Sequence, residues 1–373
     1  MQCQYFSFYL YEVRSYAVFP GKVRGRLFVT SKARFGLALE TFLQDRADAD
    51  IAQALNAFAN AAVEIAGEMR RGALGDGVSV EAIARGPDGD VQKPLDLMAD
   101  NTVTNALRQA GVRACASEET VEPVWFGGQG RLIAAIDPLD GSTNLDCNAA
   151  VGSILSLLEW RDSPDALAFR QPGRNQKAAA FALYGPHTDL VFTVGDGAHC
   201  ATLDPQDGLF RMTGIGLRIP EGRAEFAINA SNTRHWPGPV QNYVADCLAG
   251  AAGPRGKDFN MRWVATMAAD AYRILMRGGV YLYPGDAREG YADGRLHCLY
   301  ETNPIAFIVE QAGGDATDGR RRILDIEPLS IHQRSPFIFG SGDKVEQVKG
   351  YFSEGGYPAG RAPLFNRRGL MRG

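Results

Sequence analysis

The string IDPLDGSTNLD at residues 136–146 sets two carboxylates three apart, Asp137 and Asp140, and follows them with Gly141, Ser142, Thr143 and Asn144. Carboxylates fixed where a strand ends can converge on a hard cation, because Mg²⁺ takes oxygen ligands in a near-octahedral array. Pro138 stiffens the turn between them and can free the carbonyl of Leu139 as a further ligand. Gly141, Ser142 and Thr143 expose backbone N–H groups and hydroxyls, and if they open a helix those amides point at a phosphate. A bare aspartate pair is most often an acidic turn with a helix cap. The longer string favours a metal ion beside a phosphate. Glu118 and Glu119, adjacent after Ser117, read singly as a solvated pair. Asp90 and Asp96 in GDVQKPLD, and Glu301 in LYETNP, are equally weak alone.

The elements that position these residues follow from periodicity. Residues 131–136 (RLIAAI) form an apolar run that stops at Asp137, which predicts a buried strand delivering a loop. Ile51, Leu55, Phe58, Ala62, Ile65 and Met69 recur at helical spacing after Asp50, and Asp50 with Gln53 resembles a capping box. A second helix is expected over about 97–109, and strands over 152–160, 178–184 and 189–194. Helical patterns return at 240–249, 263–277 and 303–312, the last with Asn303 as cap, Pro304 at its first position and Gly313-Gly314 beyond its end. Several strands in succession fit neither a strict βαβ array nor an all-β sandwich.

Composition narrows the class. A chain of 373 residues, 45% hydrophobic and 22% charged, can bury a sizeable core. A net charge of −4 without a Lys/Arg run argues against a nucleic-acid partner. No stretch reaches the ~18–20 apolar residues that span a bilayer, so no membrane association is expected. The opening MQCQYFSFYLYEVRSY has no basic n-region and is broken by Glu12 and Arg14, unlike a secretory signal. Six scattered cysteines (Cys3, Cys115, Cys147, Cys200, Cys247, Cys298) read as reduced thiols of a cytoplasmic protein. No Gly-rich turn of the dinucleotide-binding kind occurs.

DPLDGST together with the upstream SEE (117–119) resembles the metal signature of the inositol-monophosphatase and fructose-bisphosphatase superfamily. QPGRNQKAAAFALYG (171–185), RWVATMAADAYRILMRGGVYLYPGD (262–286), GRLHCLYETNPIAFIVEQAGG (294–314) and RILDIEPLSIHQRSPFIFGS (322–341) resemble class I fructose-1,6-bisphosphatases in order and spacing, over residues 50–350. The resemblance implies an α/β (α+β) fold layered α/β/α/β/α, with two mixed sheets and helices between and outside them. It divides the chain into an extension of unknown role (1–40), a half carrying the metal and 1-phosphate site (41–215), a half carrying the sugar and 6-phosphate site (216–350) and a tail (351–373). It implies hydrolysis of fructose 1,6-bisphosphate at the 1-phosphate, with two or more Mg²⁺ per subunit (Mn²⁺ being the alternative ion), in a cytoplasmic homotetramer. Sedoheptulose 1,7-bisphosphate shares the 1-phosphate end, and gluconeogenesis and carbon fixation stay equally open as pathways.

By the same resemblance, Glu118, Asp137, Asp140, Glu301 and the carbonyl of Leu139 ligate the metals, with Asp90 on a nearby loop. Glu119, with Asp96 behind it, orients or deprotonates the attacking water. Asp140, Gly141, Ser142 and Thr143 cradle the 1-phosphate. Asn229, Tyr283 and Arg295 hold the sugar and its 6-phosphate, and Arg262 is supplied across a subunit boundary. Arg295 stands where animal members have lysine, which keeps a phosphate grip. Trp263 stands where they have tyrosine and offers no phenolic hydroxyl. Asp48, Asp50 and Arg131-Leu132 replace residues that bind inhibitory AMP in animal enzymes, so weak AMP inhibition is expected. The short segment from Trp160 to Gln171 has no cysteine, so thioredoxin-type control is not expected. His332 and His235 read as structural. The competing readings are an inositol-phosphate phosphatase and a non-catalytic sugar-phosphate sensor on the same scaffold.

Overall fold

The computed structural model describes residues 36–74, 84–85, 91–163 and 165–353. Eight strands form the larger sheet, in the order Phe210–Leu217, Ala198–Leu203, Thr188–Thr193, Gln176–Tyr184, Val151–Glu159, Leu132–Asp140, Ala114–Ser117, Val124–Trp125. All neighbours pair antiparallel except Ala114–Ser117 with Leu132–Asp140. The second sheet has five strands, ordered Asn260–Met261, Glu225–Ala227, Val280–Tyr283, Phe337–Ser341, Gly314–Thr317, and is also mixed.

Helices cover every face. Ala49–Arg71 and Pro94–Gln109 lie outside the large sheet, and Met267–Arg277 and Asn303–Gln311 lie between the sheets. Gly238–Leu248 and Gly342–Ser353 close the far side of the small one. The layers are therefore α/β/α/β/α, as the sequence led one to expect. Strands covered on both faces read as unbroken apolar runs whose alternate residues enter different cores. In Gln176–Tyr184, Ala178, Ala180 and Ala182 join Phe58 and Ile65 in the outer core, while Ala179 and Phe181 join Ile274 and Ile305 between the sheets. Alanine dominates this central strand, which lets helices approach it closely from both sides.

Several expected boundaries move. The first long helix begins at Ala49, with Asp48 in the N-cap position; Asp50 lies inside the first turn, so the capping box from it does not form, and its carboxylate pairs with Arg131 instead. A short helix, Leu39–Gln44, and the strands Ala198–Leu203 and Phe210–Leu217 add to what periodicity indicated. The helix expected from 263 starts at Met267. Asn303 is not a cap: a π-helical turn, Cys298–Thr302, runs directly into Asn303–Gln311, and Asn303 has helical φ and ψ. The strand expected to stop before Asp137 continues through it to Asp140. Five cysteines are free thiols, and Cys3 lies outside the described residues. No described helix is long and apolar enough to cross a membrane.

Candidate active site

The two aspartates share one side of the sheet because of a bulge. In a regular strand, residues three apart face opposite ways. Ile136 pairs Leu155 and Asp137 pairs Ile154, but Asp140 pairs Gly152, so three steps on one strand match two on its neighbour. The inserted residue turns Leu139 into the outer core, and both carboxylates face inward. Ser153 Oγ donates to the Pro138 carbonyl at 2.7 Å and the Leu139 N–H donates to Asp137 Oδ1 at 3.1 Å, which fixes the bulge.

Glu301 arrives from the opposite side on the π-helical turn, a local widening that often marks functional positions. One carboxylate oxygen from each of Asp137, Asp140 and Glu301 lies within 4.8 Å of the other two, and the three residues are 3%, 6% and 6% exposed. Burial is the main cause pushing all three carboxyls above their ordinary range, with Glu118 adding repulsion; Asp140 is pushed up to about 7. Three clustered hard oxygen donors of one sign, withdrawn from water, fit a divalent cation. Asp140 also accepts the N–H groups of Met267 (3.1 Å) and Ala268 (2.6 Å), which open the helix Met267–Arg277.

Glu118 and Glu119 follow the strand Ala114–Ser117 beside this group. Glu118 Oε1 lies 3.2 Å from His297 Nδ1, and His297 is joined to Glu301 by its backbone N–H (2.7 Å). Glu119 is pushed up to about 7 by burial, with Asp96 and Glu118 adding to the shift, and Gln92 Nε2 bonds its carboxylate. Asp96 is buried beside this pair, and its Oδ2 accepts the Lys93 N–H at 2.7 Å at the start of Pro94–Gln109. Asp90 lies outside the described residues.

Gly141 through Cys147 form the turn after Asp140. Ser142–Cys147 is a 3₁₀ helix, and Gly141 at its start has φ +76°. A Cβ there would lie 2.4 Å from Thr266 Oγ1. Thr266 is bonded by Asn144 Nδ2 and itself donates to Ala150, while Lys93 Nζ bonds the Ser142 carbonyl and Asp146. Gly141→Ala is therefore expected to lower kcat at least about a hundredfold and stability by about 1–3 kcal/mol. Steady-state kinetics and urea melts check both; an active, undisturbed variant would show that the turn has slack.

Asn229, Tyr283 and Arg295 line a second pocket with Asn232, Asp286 and Tyr291. Arg295 packs over Tyr291 at 5.0 Å, and Trp263 stacks on Tyr281 (5.4 Å, 12°) beside Tyr283. Tyr283 feels both Arg295 and Glu301, so this pocket adjoins the carboxylate group. Arg262 is exposed at the edge strand Asn260–Met261. Sequence reasoning passed over His297, Gln92 and Lys93; for His297 the available signal was its place four residues before Glu301. His332 Nε2 bonds the Thr120 and Val121 carbonyls, and His235 Nε2 lies 3.1 Å from Arg234 Nε. A cavity of about 1230 Å³ lies between the outer helices, and none of these side chains lines it.

Comparison with known proteins places these features in a family. Residues 34–214 match the model for the fructose-1-6-bisphosphatase N-terminal domain, and residues 219–353 match that for the C-terminal domain. A class 1 fructose-1,6-bisphosphatase of Methylobacterium radiotolerans is 49% identical over 347 residues, covering 91% of this chain and 99% of the relative. One from Bradyrhizobium diazoefficiens is 50% identical over 323 residues, covering 86% and 93%. The crystal structure of Leishmania major fructose-1,6-bisphosphatase in holo form superposes with a TM-score of 0.80 at 29% identity, covering 86% of this chain and 99% of that one.

Proposed function

The chain belongs to the class 1 fructose-1,6-bisphosphatase family, and from that membership we propose that it hydrolyses D-fructose 1,6-bisphosphate to fructose 6-phosphate and phosphate in a Mg²⁺-dependent reaction. The observation that carries the metal-dependent part is the buried Asp137, Asp140 and Glu301 group. Glu118 and the Leu139 carbonyl complete the proposed ligand set, and Asp90 is kept as a candidate on sequence grounds. When bound, two or more divalent ions would supply charge neutralisation at the phosphate oxygens and activate the attacking water.

The protein's own groups do the rest. Asp140, Gly141, Ser142 and Thr143 orient the 1-phosphate next to the carboxylates. Glu119, with its carboxyl raised to about 7, can hold or take a proton from the water; burial keeps it raised, and the nearby charge of Asp96 adds to the shift. Asn229, Tyr283 and Arg295 receive the sugar and the far phosphate, with Arg262 contributed by a neighbouring copy in a cytoplasmic homotetramer. The pocket around Tyr283 and Arg295 favours a bisphosphate over an inositol monophosphate, since it presents a cation at the far end. Sedoheptulose 1,7-bisphosphate fits the same 1-phosphate end and is proposed as a second substrate. Phosphate release from both sugars, with Mg²⁺ and with EDTA, tests the reading. Turnover on inositol phosphates alone, or tight sugar binding without turnover, would replace it.

AMP is expected to be a poor inhibitor. Arg131 is held by Asp48 (2.5 Å) and Asp50 (2.5 Å) and lies 3.8 Å from Glu159, so its guanidinium is already occupied and two carboxylates stand where a phosphate would approach. An AMP titration of turnover checks this; micromolar inhibition would overturn it.

A further inference from the structure

The carboxylate group continues on one side into a donor set of different chemistry. Glu118, His297 and Glu301 each bring one ligand atom within 4.8 Å of the other two, and Glu301 is common to this set and to the all-oxygen set of Asp137 and Asp140. His297 Nδ1 stands 3.2 Å from Glu118 Oε1 and 3.5 Å from Glu301 Oε2. Donors bound about 2.1 Å from one divalent ion stand roughly 3.0–3.4 Å apart in octahedral or tetrahedral arrangement. The ring is 2% exposed, packed edge-on against Tyr300 (5.5 Å, 65°) and His332 (6.0 Å, 75°), and its backbone N–H is tied to Glu301. It is held facing the two carboxylates.

We propose that His297 Nδ1 is a direct nitrogen ligand, so that Glu118, His297 and Glu301 form a centre selective for Mn²⁺ over Mg²⁺ beside an oxygen-only centre that takes Mg²⁺. Imidazole suits first-row transition ions, whereas Mg²⁺ prefers oxygen and gives up water reluctantly. Glu301 would be shared by the two. The proposal rests on the phosphatase reading only for the purpose of the ions; metal binding itself needs no substrate.

Pulsed electron paramagnetic resonance on the metal-stripped full chain reloaded with Mn²⁺ tests it. The expected result is the hyperfine coupling of a directly bound imidazole nitrogen, lost in His297→Gln and kept in His332→Gln. In equilibrium titrations, Mn²⁺ should bind at least about tenfold tighter than Mg²⁺. His297→Gln should remove about tenfold of Mn²⁺ affinity while changing Mg²⁺ affinity less than about threefold. Absence of nitrogen coupling in the wild type would overturn the proposal, and that measurement decides even if the variant does not fold. A variant that weakens both ions equally would also overturn it, leaving His297 as a residue that only orients the carboxylates. Failure to hydrolyse sugar bisphosphates with the nitrogen coupling present would instead remove the phosphatase reading.

Discussion

Asp137→Asn is expected to lower kcat for phosphate release by about a thousandfold or more while leaving the metal-free chain at least as stable as the wild type. The side chain is 3% exposed, and burial followed by repulsion from Glu118, Asp140 and Glu301 holds its carboxyl well above the ordinary range. Asparagine keeps the shape and can still accept the Leu139 N–H, so the bulge survives. What disappears is the negative charge that suits the group to a cation. The same change relieves repulsion in the absence of an ion, so activity and stability move in opposite directions. Phosphate-release kinetics with Mg²⁺ and thermal melts in EDTA measure the two. A variant that retained turnover would remove Asp137 from the ligand set, and one that unfolded would show that the charge is structural.

The second large effect is linkage between protons, ions and stability. Asp140 is raised from 3.8 to about 7 by burial, with Glu301 adding to the shift, and Asp137 and Glu301 are raised as well. A carboxyl whose folded pKa lies above its unfolded one binds more protons in the folded chain. Its ionisation destabilises the fold progressively from about pH 4 to about pH 7, and below that window the penalty is absent. For Asp140 alone the full penalty is roughly 4 kcal/mol. A bound divalent ion stabilises the ionised form and cancels it. The metal-free chain should therefore melt several degrees lower at pH 8 than at pH 5.5, and Mg²⁺ should raise Tm more at pH 8. Calorimetric titration in two buffers of different ionisation enthalpy should show proton release on Mg²⁺ binding near pH 6.5. Release of no protons would mean that the carboxyls are already ionised without the ion.

The central strands were legible because both their faces are covered, so runs such as residues 152–160 and 178–184 are largely apolar, whereas their layered order came from the family resemblance. The helix Pro94–Gln109 was legible from the same logic of period. The bulge was not, because register is a relation between two strands and appears in neither sequence alone; Asp137 and Asp140 were read as a turn for that reason. The π-helical turn was missed because Asn303-Pro304 imitates a helix start while the chain is already wound. Glu118, Glu119, Asp90, Asp96 and Glu301 came from the sequence as isolated acids that gained meaning only from the family resemblance, whereas the string around Asp137 and Asp140 pointed to a metal by itself. The structure brings Asp137, Asp140 and Glu301 together, with Glu118 beside them. His297 escaped because a single imidazole carries no pattern until its carboxylate neighbours are placed around it.

The bulged strand lies in the large sheet, whereas Glu301 belongs to the segment packed between the sheets, far along the chain. An ion bound by both would behave as a removable cross-link, closing a long loop as a disulfide would, but reversibly and with the local metal concentration as its control. Chains cleaved between Leu217 and Glu225 would have no peptide bond joining the two sides. The pieces would then assemble as partners whose affinity for one another rises with the ion, which turns a catalytic feature into a gauge of how strongly the two sheets hold together.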